Sequence, residues 1–366
     1  MLHYIRNLKL KTFCYVVICF VICCLIFQII FLSTNERPLP TLVWWTPFMP
    51  KGYRIISCYN ELYKCLITSN RSYITNANRG AYLFYGSRIE NHDFPLPRDD
   101  TLWAVFHEES PKNYAPLLFK ETQNLFNITS TFSRYSDIPV TLQYLANLDL
   151  IKDTKYCMTF IRLSQLDPLD LYNEELLKFI SKYKFIIAFE NAMCHDYITE
   201  KLWRPLIVGA IPIYLGSPTI QDWLPNKNSA VLVKDFETLK AVAEKIKMIN
   251  EDDTTYESFL DHKLKLTVSN ELLKKSILYD HPIATFECSV CKEVYEGGHY
   301  KYTKRRQNIY NCPKPKVLRT ENTWNQHWEL GKCQSKALNL LIGRNEPYSP
   351  ELFDITWKTF LNERNC

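Results

Sequence analysis

Short apolar runs divide the chain after residue 40 into regular elements. In the N-terminal part each run is followed by polar residues, as buried parallel strands are, and the runs cover residues 41–45, 82–85, 102–106 and 124–126. Helical segments are predicted between them. The pattern indicates an N-terminal α/β domain over residues 41–150.

The C-terminal part shows this alternation more clearly. A continuous apolar run at residues 184–189 predicts a buried strand, followed by a helix at 196–208 and strands at 211–215 and 230–233. Strands that alternate with helices predict a parallel sheet, here in a second α/β domain over residues 184–280. Because Pro212 lacks an N–H group, we expect its strand at a sheet edge.

The remaining segments are less regular. Residues 151–183 between the two domains have room for one strand at 156–163 and one helix at 171–182. Amphipathic helices are predicted at 238–249 and 256–275. A Cys-containing region, 281–366, ends in a helix predicted at 352–363.

Residues 12–32 form an apolar run that would span ~30 Å as a helix, the thickness of a bilayer's hydrocarbon core. Basic residues precede the run and none follows before Arg37, which predicts a cytosolic tail at 1–11 and a lumenal chain. We therefore expect a signal anchor at 12–32 and a stem at 33–40. A cleaved signal peptide is the alternative, but no small-residue cleavage site follows the run.

Two further features favour a secretory compartment. Asn70 and Asn127 begin N-glycosylation sequons. Nine cysteines lie outside the apolar run, and disulfides are predicted for three pairs of them: Cys58/Cys65, Cys288/Cys291 and Cys312/Cys333. The alternative is a zinc site in which Cys288 and Cys291 act with Cys312 and Cys333, or with His281 or His299. Because nine is odd, at least one thiol has no partner within the chain.

Charge and glycine content exclude some functions. The formal net charge of +5 is modest and spread along the chain, so nucleic acid is not an expected partner. The nine glycines form neither of the Gly-rich loops that cradle phosphates. A nucleotide would therefore be held by side chains and by a helix N-terminus.

Polar residues gather where the strand at 184–189 meets the next helix, which is where open α/β sheets bind ligands. We expect Asp196 to cap this helix and Pro205 to kink or end it. Helical spacing places Tyr197, Glu200, Lys201 and Arg204 on one stripe. Lys201 would meet a diphosphate and Glu200 sugar hydroxyls, although an ordinary solvated Glu/Lys face has the same spacing.

The same segment resembles the donor-binding signature of the alpha-1,3-fucosyltransferase family. The match includes Phe189-Glu190-Asn191, the run from Asp196 to Lys201, and Gly209 to Gly216. The resemblance implies a GT-B fold, with two Rossmann-like domains facing across a cleft after a transmembrane helix. It also implies that Asn191, Tyr197, Glu200 and Lys201 contact GDP-fucose. Because Lys201 can supply the positive charge that the leaving diphosphate needs, we expect no metal or other cofactor to be required.

The N-terminal half supports this resemblance through the run from His107 to Pro111, which looks like the family's Glu-Ser-Pro motif. The motif and Cys288-x-x-Cys291 are most similar to the fucosyltransferase 10 and 11 branch. That branch implies transfer of fucose to protein Ser/Thr. The other possible acceptor is N-acetylglucosamine of a glycan, to which fucose would be linked alpha-1,3. Inverting transfer needs a general base, for which Glu109 is the candidate and Glu108 the runner-up.

The interval 151–183 departs from the family pattern. It lacks a counterpart for one strand, its helix and a basic residue that faces the donor diphosphate, and Arg162 is its only arginine. Deleting a strand from a parallel sheet leaves an unpaired edge, so we expect poor folding or weak GDP-fucose binding. The alternative function is a catalytically impaired or silent relative, a lumenal binding or quality-control protein. The expected location is the Golgi or endoplasmic reticulum membrane.

Overall fold

The structure, a computed structural model, describes residues 39–49, 51–73, 80–140, 144–153, 173–276, 281–297, 308–314 and 323–366. The predicted tail and anchor, most of the stem, the strand at 156–163 and Arg162 lie outside these residues. None of the helices described is long and apolar enough to cross a membrane. Contacts group residues from Pro40 to Cys366 into one compact unit.

A seven-stranded sheet forms the N-terminal half, in the order β2-β3-β1-β4-β5-β6-β7. Its strands are β1 Thr41–Trp44, β2 Tyr53–Cys58, β3 Tyr63–Thr68, β4 Gly80–Tyr85, β5 Leu102–His107, β6 Ile128–Thr131 and β7 Ile138–Pro139. Among the described strand pairs of this sheet, β2 and β3 are antiparallel and the others are parallel. The strand predicted at 124–126 is wrong, because these residues turn out of a short helix and β6 begins at Ile128.

The described helices are α1 Lys120–Gln123, α2 Asp149–Lys152, α3 Glu174–Ile180, α4 Glu200–Val208, α5 Leu239–Glu251, α6 Asp253–Ser258, α7 Asp261–Leu264, α8 Glu271–Ser276, α9 Pro282–Tyr295, α10 Thr323–Gly343 and α11 Pro350–Asn362. The C-terminal ones return to the N-terminal sheet. Phe286 and Val290 of α9 pack with Leu42 and Phe106 on one face. Residues of α10 and α11 pack with Trp103, among others, on the opposite face. Region 281–366 therefore completes the N-terminal core.

All the cysteines predicted to form disulfides do so, but their predicted pairing is wrong. The bonds are Cys58–Cys288, Cys65–Cys291, Cys194–Cys312 and Cys333–Cys366. Residues 288 and 291 lie one turn apart on α9, which packs on the β2–β3 hairpin, so each meets a hairpin cysteine. The zinc alternative is wrong as well, since each of its four sulfur atoms, at Cys288, Cys291, Cys312 and Cys333, is bonded to a cysteine outside the proposed zinc set. Cys157 lies outside the described residues.

The second sheet has the order β10-β9-β8, with β8 Phe185–Phe189, β9 Ile211–Leu215 and β10 Val231–Leu232 all parallel. Helices α3 and α4 pack on one face and α5 on the other. The expectation that Pro212 marks an edge is wrong, because β9 is central. The Ile211 N–H donates to Lys184 O, on the side of β9 that faces β8. The nitrogen of Pro212, the next residue, therefore faces the other side of β9, toward β10. There β10 pairs only from Ile213 onward.

Two predicted helices differ from the observed ones. Helix α4 begins at Glu200 with Thr199 as its N-cap, continues through Pro205 and ends at Val208, where Gly209 follows with a left-handed φ of 80°. The helix predicted at 256–275 is broken into α6, α7 and α8. Leu266 has a φ of 54°, and the N–H groups of Ser269 and Asn270 both donate to Pro225 O, which interrupts the helical ladder.

Candidate donor and acceptor site

Three neighbouring residues at the carboxyl end of β5 have different surroundings. His107 is fully buried, its Nδ1 lies 2.7 Å from the Tyr310 hydroxyl, and burial lowers its pKa to about 3. Glu108 is buried too, and its Oε1 accepts a 2.8 Å hydrogen bond from Tyr85. Glu109 is only half-buried. Of the two carboxylates, Glu109 is the one that a substrate hydroxyl could reach directly.

Burial also changes the proton affinity of Glu108, raising its pKa to about 7. The Tyr85 hydrogen bond acts in the opposite direction, and the neighbouring Glu109 adds to the rise. Oε2 of Glu108 is buried and has no hydrogen-bond partner among the described residues. These properties suit a neutral buried acid near pH 7 better than a freely ionised base.

Tyr197 connects the donor-binding signature to the Glu-Ser-Pro motif. It precedes α4, is 2% exposed, and packs against Phe132 with ring centroids 4.8 Å apart. Burial raises its pKa, the charges of Glu190, Glu109 and Glu200 raise it further, and a hydrogen bond with the Ser110 backbone lowers it. The Tyr197 phenol therefore lies among carboxylates from both motifs. The donor-binding signature and the Glu-Ser-Pro motif therefore come together at the Tyr197 side chain.

The start of α4 carries two of the three remaining predicted donor residues, Glu200 and Lys201. Lys201 Nζ lies 3.2 Å from Glu200 Oε1 and 3.3 Å from Thr199 Oγ1, with the Lys201 side chain 30% exposed. The first turn of a helix also offers unpaired N–H groups and a partial positive charge. This arrangement can bind an anionic diphosphate. Asn191 is exposed in the loop between β8 and α4.

Glu190 carried no assigned role in the sequence-based prediction, although it belongs to the matched signature. Its side chain is fully buried, and it accepts hydrogen bonds from the N–H and the hydroxyl of Thr199 at 2.9 and 2.8 Å. Burial raises its pKa to about 7, against the lowering effect of Thr199 and Lys201. A carboxylate that follows an apolar strand and lies within reach of a helix start is the signal that could have revealed it.

The predicted cap residue Asp196 has a different role. It adopts a φ of 63° before the helix, and its carboxylate accepts from Arg134 Nε and Nη2 at 2.8 and 2.6 Å, from Thr219 and from Trp223. Arg134 Nη2 also contacts Asp222 at 2.8 Å. Burial acts to raise the pKa of Asp196, but the hydrogen bonds from Arg134 and Thr219 outweigh it and lower the pKa.

The two predicted glycosylation sites differ in access. Asn70 is exposed in a turn after β3. Asn127 is half-buried at the start of β6, where its Oδ1 accepts hydrogen bonds from Trp103 N–H and from Arg98, both at 2.9 Å. A glycan on the Asn127 amide nitrogen would have to avoid this packed environment. In the described part of the chain, no group of three or more His, Cys, Asp or Glu side chains converges as metal ligands would.

Strand β8 leaves apolar side chains open to solvent. Ile187 is 68% exposed and Phe189 is 42% exposed, on the face of the sheet that β9 and β10 present to α5. Within the described residues, β8 has a strand neighbour on one side only. The missing strand next to β8 stays a prediction, because residues 154–172 lie outside the described residues.

Comparison with known proteins identifies the family. A family model described as glycosyltransferase family 10 (fucosyltransferase) C-term matches residues 142–310, and one described as fucosyltransferase, N-terminal, matches residues 37–143. The chain belongs to glycosyltransferase family 10. This membership confirms the family predicted from the two motifs, and the observed sheets and helices confirm the α/β class.

Alignments with individual relatives include most of the chain. GDP-fucose protein O-fucosyltransferase 3 of Xenopus laevis is 33% identical over 398 residues, 87% of this chain and 84% of that protein. Alpha-(1,3)-fucosyltransferase B of Drosophila melanogaster is 35% identical over 402 residues, 89% of each. A crystal structure of an alpha1,3-fucosyltransferase is 16% identical with a TM-score of 0.40, and the match covers 78% of this chain and 95% of that one.

The alignment lengths also show a difference between this chain and its relatives. The alignment with the Xenopus protein spans 398 positions, more than the 366 residues of the whole chain, although it includes only 87% of them. The relative therefore has residues with no counterpart in this chain. A segment missing at residues 151–183 stays a prediction.

Proposed function

We propose that the protein is an inverting fucosyltransferase that transfers L-fucose from GDP-fucose to a hydroxyl group of an acceptor in the secretory pathway. The observation that carries the proposal is the position of Tyr197, beside the Ser110 backbone and near both Glu109 and Glu200. It supports a GT-B arrangement in which the donor signature faces the Glu-Ser-Pro motif. The proposed setting is an anchor at residues 12–32 with the catalytic part lumenal, at the Golgi or endoplasmic reticulum.

The chemistry follows from the residues at this junction. Glu109 accepts the proton of the acceptor hydroxyl while that oxygen forms a bond to C1 of fucose on the face opposite GDP. The bond from C1 to the phosphate oxygen breaks, GDP leaves with the electron pair, and the configuration at C1 inverts. Lys201 and the N-terminus of α4 stabilise the charge on the leaving diphosphate, which needs no metal ion. Asn191, Tyr197 and Glu200 complete the donor contacts.

Glu109→Gln tests the assignment of the base, and Glu108→Gln is its matched control. The amide cannot accept the proton, so Glu109→Gln should lower kcat at least ~100-fold, the range of general base catalysis. Glu108→Gln should retain most activity, because the amide oxygen can still accept from Tyr85. The reverse order of losses would assign the base to Glu108. Equal activity of both variants and the wild type would contradict base catalysis by this motif.

The acceptor is proposed to be a protein Ser/Thr hydroxyl, because relatives with that name are 33% identical over most of the chain. The Drosophila relative, named an alpha-(1,3)-fucosyltransferase, supports N-acetylglucosamine of a glycan as the second candidate. Full-length protein given radiolabelled GDP-fucose and each acceptor class separately would distinguish them. Label only in the glycan acceptor would overturn the first choice.

The exposed strand β8 supports one alternative, a catalytically silent relative that acts as a lumenal binding or quality-control protein. Its apolar surface, with Ile187 68% exposed, would suit contact with other chains. Absence of transfer to either acceptor, with every cellular phenotype retained by Glu109→Gln, would favour this alternative over the enzyme.

A further inference from the structure

Glu190 lies behind the proposed donor-binding face without reaching the surface itself. Its N–H donates to Leu215 O at 2.8 Å, continuing the pairing of β8 with β9, and its side chain is 0% exposed. The carboxylate turns toward the first residues of α4. A buried carboxylate is stable only when its oxygen atoms are paired, so its partners indicate what it supports.

Those partners all belong to the start of α4. Glu190 Oε1 accepts the Thr199 N–H at 2.9 Å and Oε2 accepts the Thr199 hydroxyl at 2.8 Å. A threonine hydroxyl has one hydrogen, so donating it to Glu190 leaves both lone pairs as acceptors. Thr199 Oγ1 uses them for the backbone N–H and the ammonium of Lys201, both at 3.3 Å. Glu190 therefore fixes the direction of the Thr199 hydroxyl, and that hydroxyl holds Lys201 together with Glu200 Oε1, which lies 3.2 Å from Lys201 Nζ.

Space for this carboxylate depends on Gly216, at the end of the adjacent β9. A Cβ atom at residue 216 would lie 2.5 Å from Glu190 Cγ and 2.5 Å from the Tyr214 hydroxyl. No side chain larger than hydrogen fits there without moving Glu190. Lys201 Nζ also lies 3.9 Å from Glu190 Oε2, so the buried carboxylate attracts the ammonium directly.

We propose that Glu190 is a positioning residue for the nucleoside diphosphate: through Thr199 it sets the orientation of the Lys201 ammonium and of the first N–H groups of α4. The inference rests on the proposed function for its ligand. It assigns the positioning to one hydrogen-bonded chain, Glu190 to Thr199 to Lys201, with no contact between Glu190 and the donor.

Affinity of the full-length protein for GDP tests this chain. Glu190→Ala and Thr199→Val should each raise the Kd for GDP about tenfold, and the double variant should bind GDP no more weakly than Glu190→Ala alone, since Thr199 acts on Lys201 in the orientation that Glu190 sets. Thr199→Ser keeps the hydroxyl and should restore affinity to within about twofold of wild type. Additive losses in the double variant, or no rescue by serine, would overturn the proposal.

Glu287 provides the matched control for loss of a buried carboxylate. It is 1% exposed in α9 and accepts from Trp44 and Arg54, away from the donor-binding signature. Glu287→Ala should lower the thermal midpoint at least as much as Glu190→Ala and leave the Kd for GDP unchanged. If both variants weaken GDP binding in proportion to lost stability, Glu190 is only a structural residue.

Hydrogen exchange without any nucleotide separates this inference from the proposed function. Glu190→Ala should increase amide exchange at least tenfold in a peptide covering residues 197–203, with α9 peptides unchanged. If the wild type binds no GDP, the proposed function fails. Amide exchange at residues 197–203 would still show whether Glu190 orders the start of α4. Unchanged exchange at residues 197–203 would overturn the positioning even if GDP binds.

Discussion

Arg134 and Asp196 join the two motif-bearing parts of the chain through a bidentate ion pair, with Arg134 Nε and Nη2 at 2.8 and 2.6 Å from the Asp196 carboxylate. The Arg134 backbone N–H adds a third bond to the same carboxylate at 3.1 Å. Arg134 follows β6 of the large sheet, and Asp196 lies in the loop between β8 and α4. This pair therefore holds the loop before α4 against the large sheet.

Removing Arg134 should destabilise the protein strongly. Asp196 is fully buried, and losing its partner would leave a charge that Thr219 and Trp223 only partly compensate. Breaking a buried pair typically costs 3–5 kcal/mol, and because the Arg134 side chain is 37% exposed, we expect about 2–3 kcal/mol for Arg134→Ala. The measurement is the free energy of unfolding in urea.

Arg71 offers the comparison, since it forms a bidentate pair with Asp93 in which both side chains are partly exposed, at 41% and 28%. Surface pairs contribute about 0–1 kcal/mol, so Asp93→Ala, which removes this pair and leaves the Arg71 hydrogen bonds to Trp45 O in place, should lose less than about 1 kcal/mol. Equal losses in the two variants would show that Arg134 has no special role between the sheets.

Replacing Glu108 should change how stability depends on pH. Its pKa is raised from 4.5 to about 7, so between these values the folded chain keeps a proton that the unfolded chain has lost. The contribution of Glu108 to the stability of the wild type therefore falls as pH rises through this window. Since glutamine does not ionise, Glu108→Gln should gain on the wild type by up to about 1.4 kcal/mol per pH unit from about pH 4.5 to 7.

The comparison must be made between variant and wild type, because buried His107 and His262 act with the opposite sign. Burial lowers their pKa values to about 3 and about 4, so they favour the folded state as pH rises toward 6.5. Both histidines are present in each protein and cancel in the difference. If the free energies of unfolding of the two proteins differ by the same amount at every pH in this window, Glu108 is ionised in the folded chain.

The local apolar pattern was sufficient to predict most strands, whereas features that depend on distant partners were missed. Runs such as Leu102 to Phe106 are buried on both faces, and periodicity identifies such strands directly. The β2–β3 hairpin escaped detection because its outer strand exposes Tyr53 and Ile55, which breaks the expected alternation. Without the hairpin, the cysteines at 58 and 65 appear close enough to pair with each other.

The candidate site shows the same limit. Spacing identified Lys201 and Glu200, because helical periodicity is a local property. It assigned Asp196 to the helix cap, since an aspartate before an apolar helix has that local preference. The partner that decides its role, Arg134, is 62 residues away in sequence. Long-range ion pairs of this kind follow only from the packed structure.

Glycosylation should distinguish the two sequons. If the chain is lumenal as proposed, the exposed Asn70 should carry a glycan, and Asn70→Gln should abolish the mobility shift that a peptide N-glycosidase produces. Asn127→Gln should leave that shift unchanged but lower stability by about 1–3 kcal/mol, because the Trp103 N–H loses its acceptor. A glycan mapped to Asn127 by mass spectrometry would contradict this prediction.

Substitution of Ile187 should test whether β8 ends the second sheet in this chain. Ile187 is 68% exposed and pairs in register with Ile213, which is partly buried against α5. Ile187→Lys should change stability by less than about 0.5 kcal/mol and reduce aggregation, since charged residues protect exposed edges. Ile213→Lys, the control on the neighbouring strand, should be strongly destabilising. A large loss of stability in Ile187→Lys would mean that residues outside the described ones cover this strand. In that case we would expect normal GDP binding and turnover despite the short interval at 151–183.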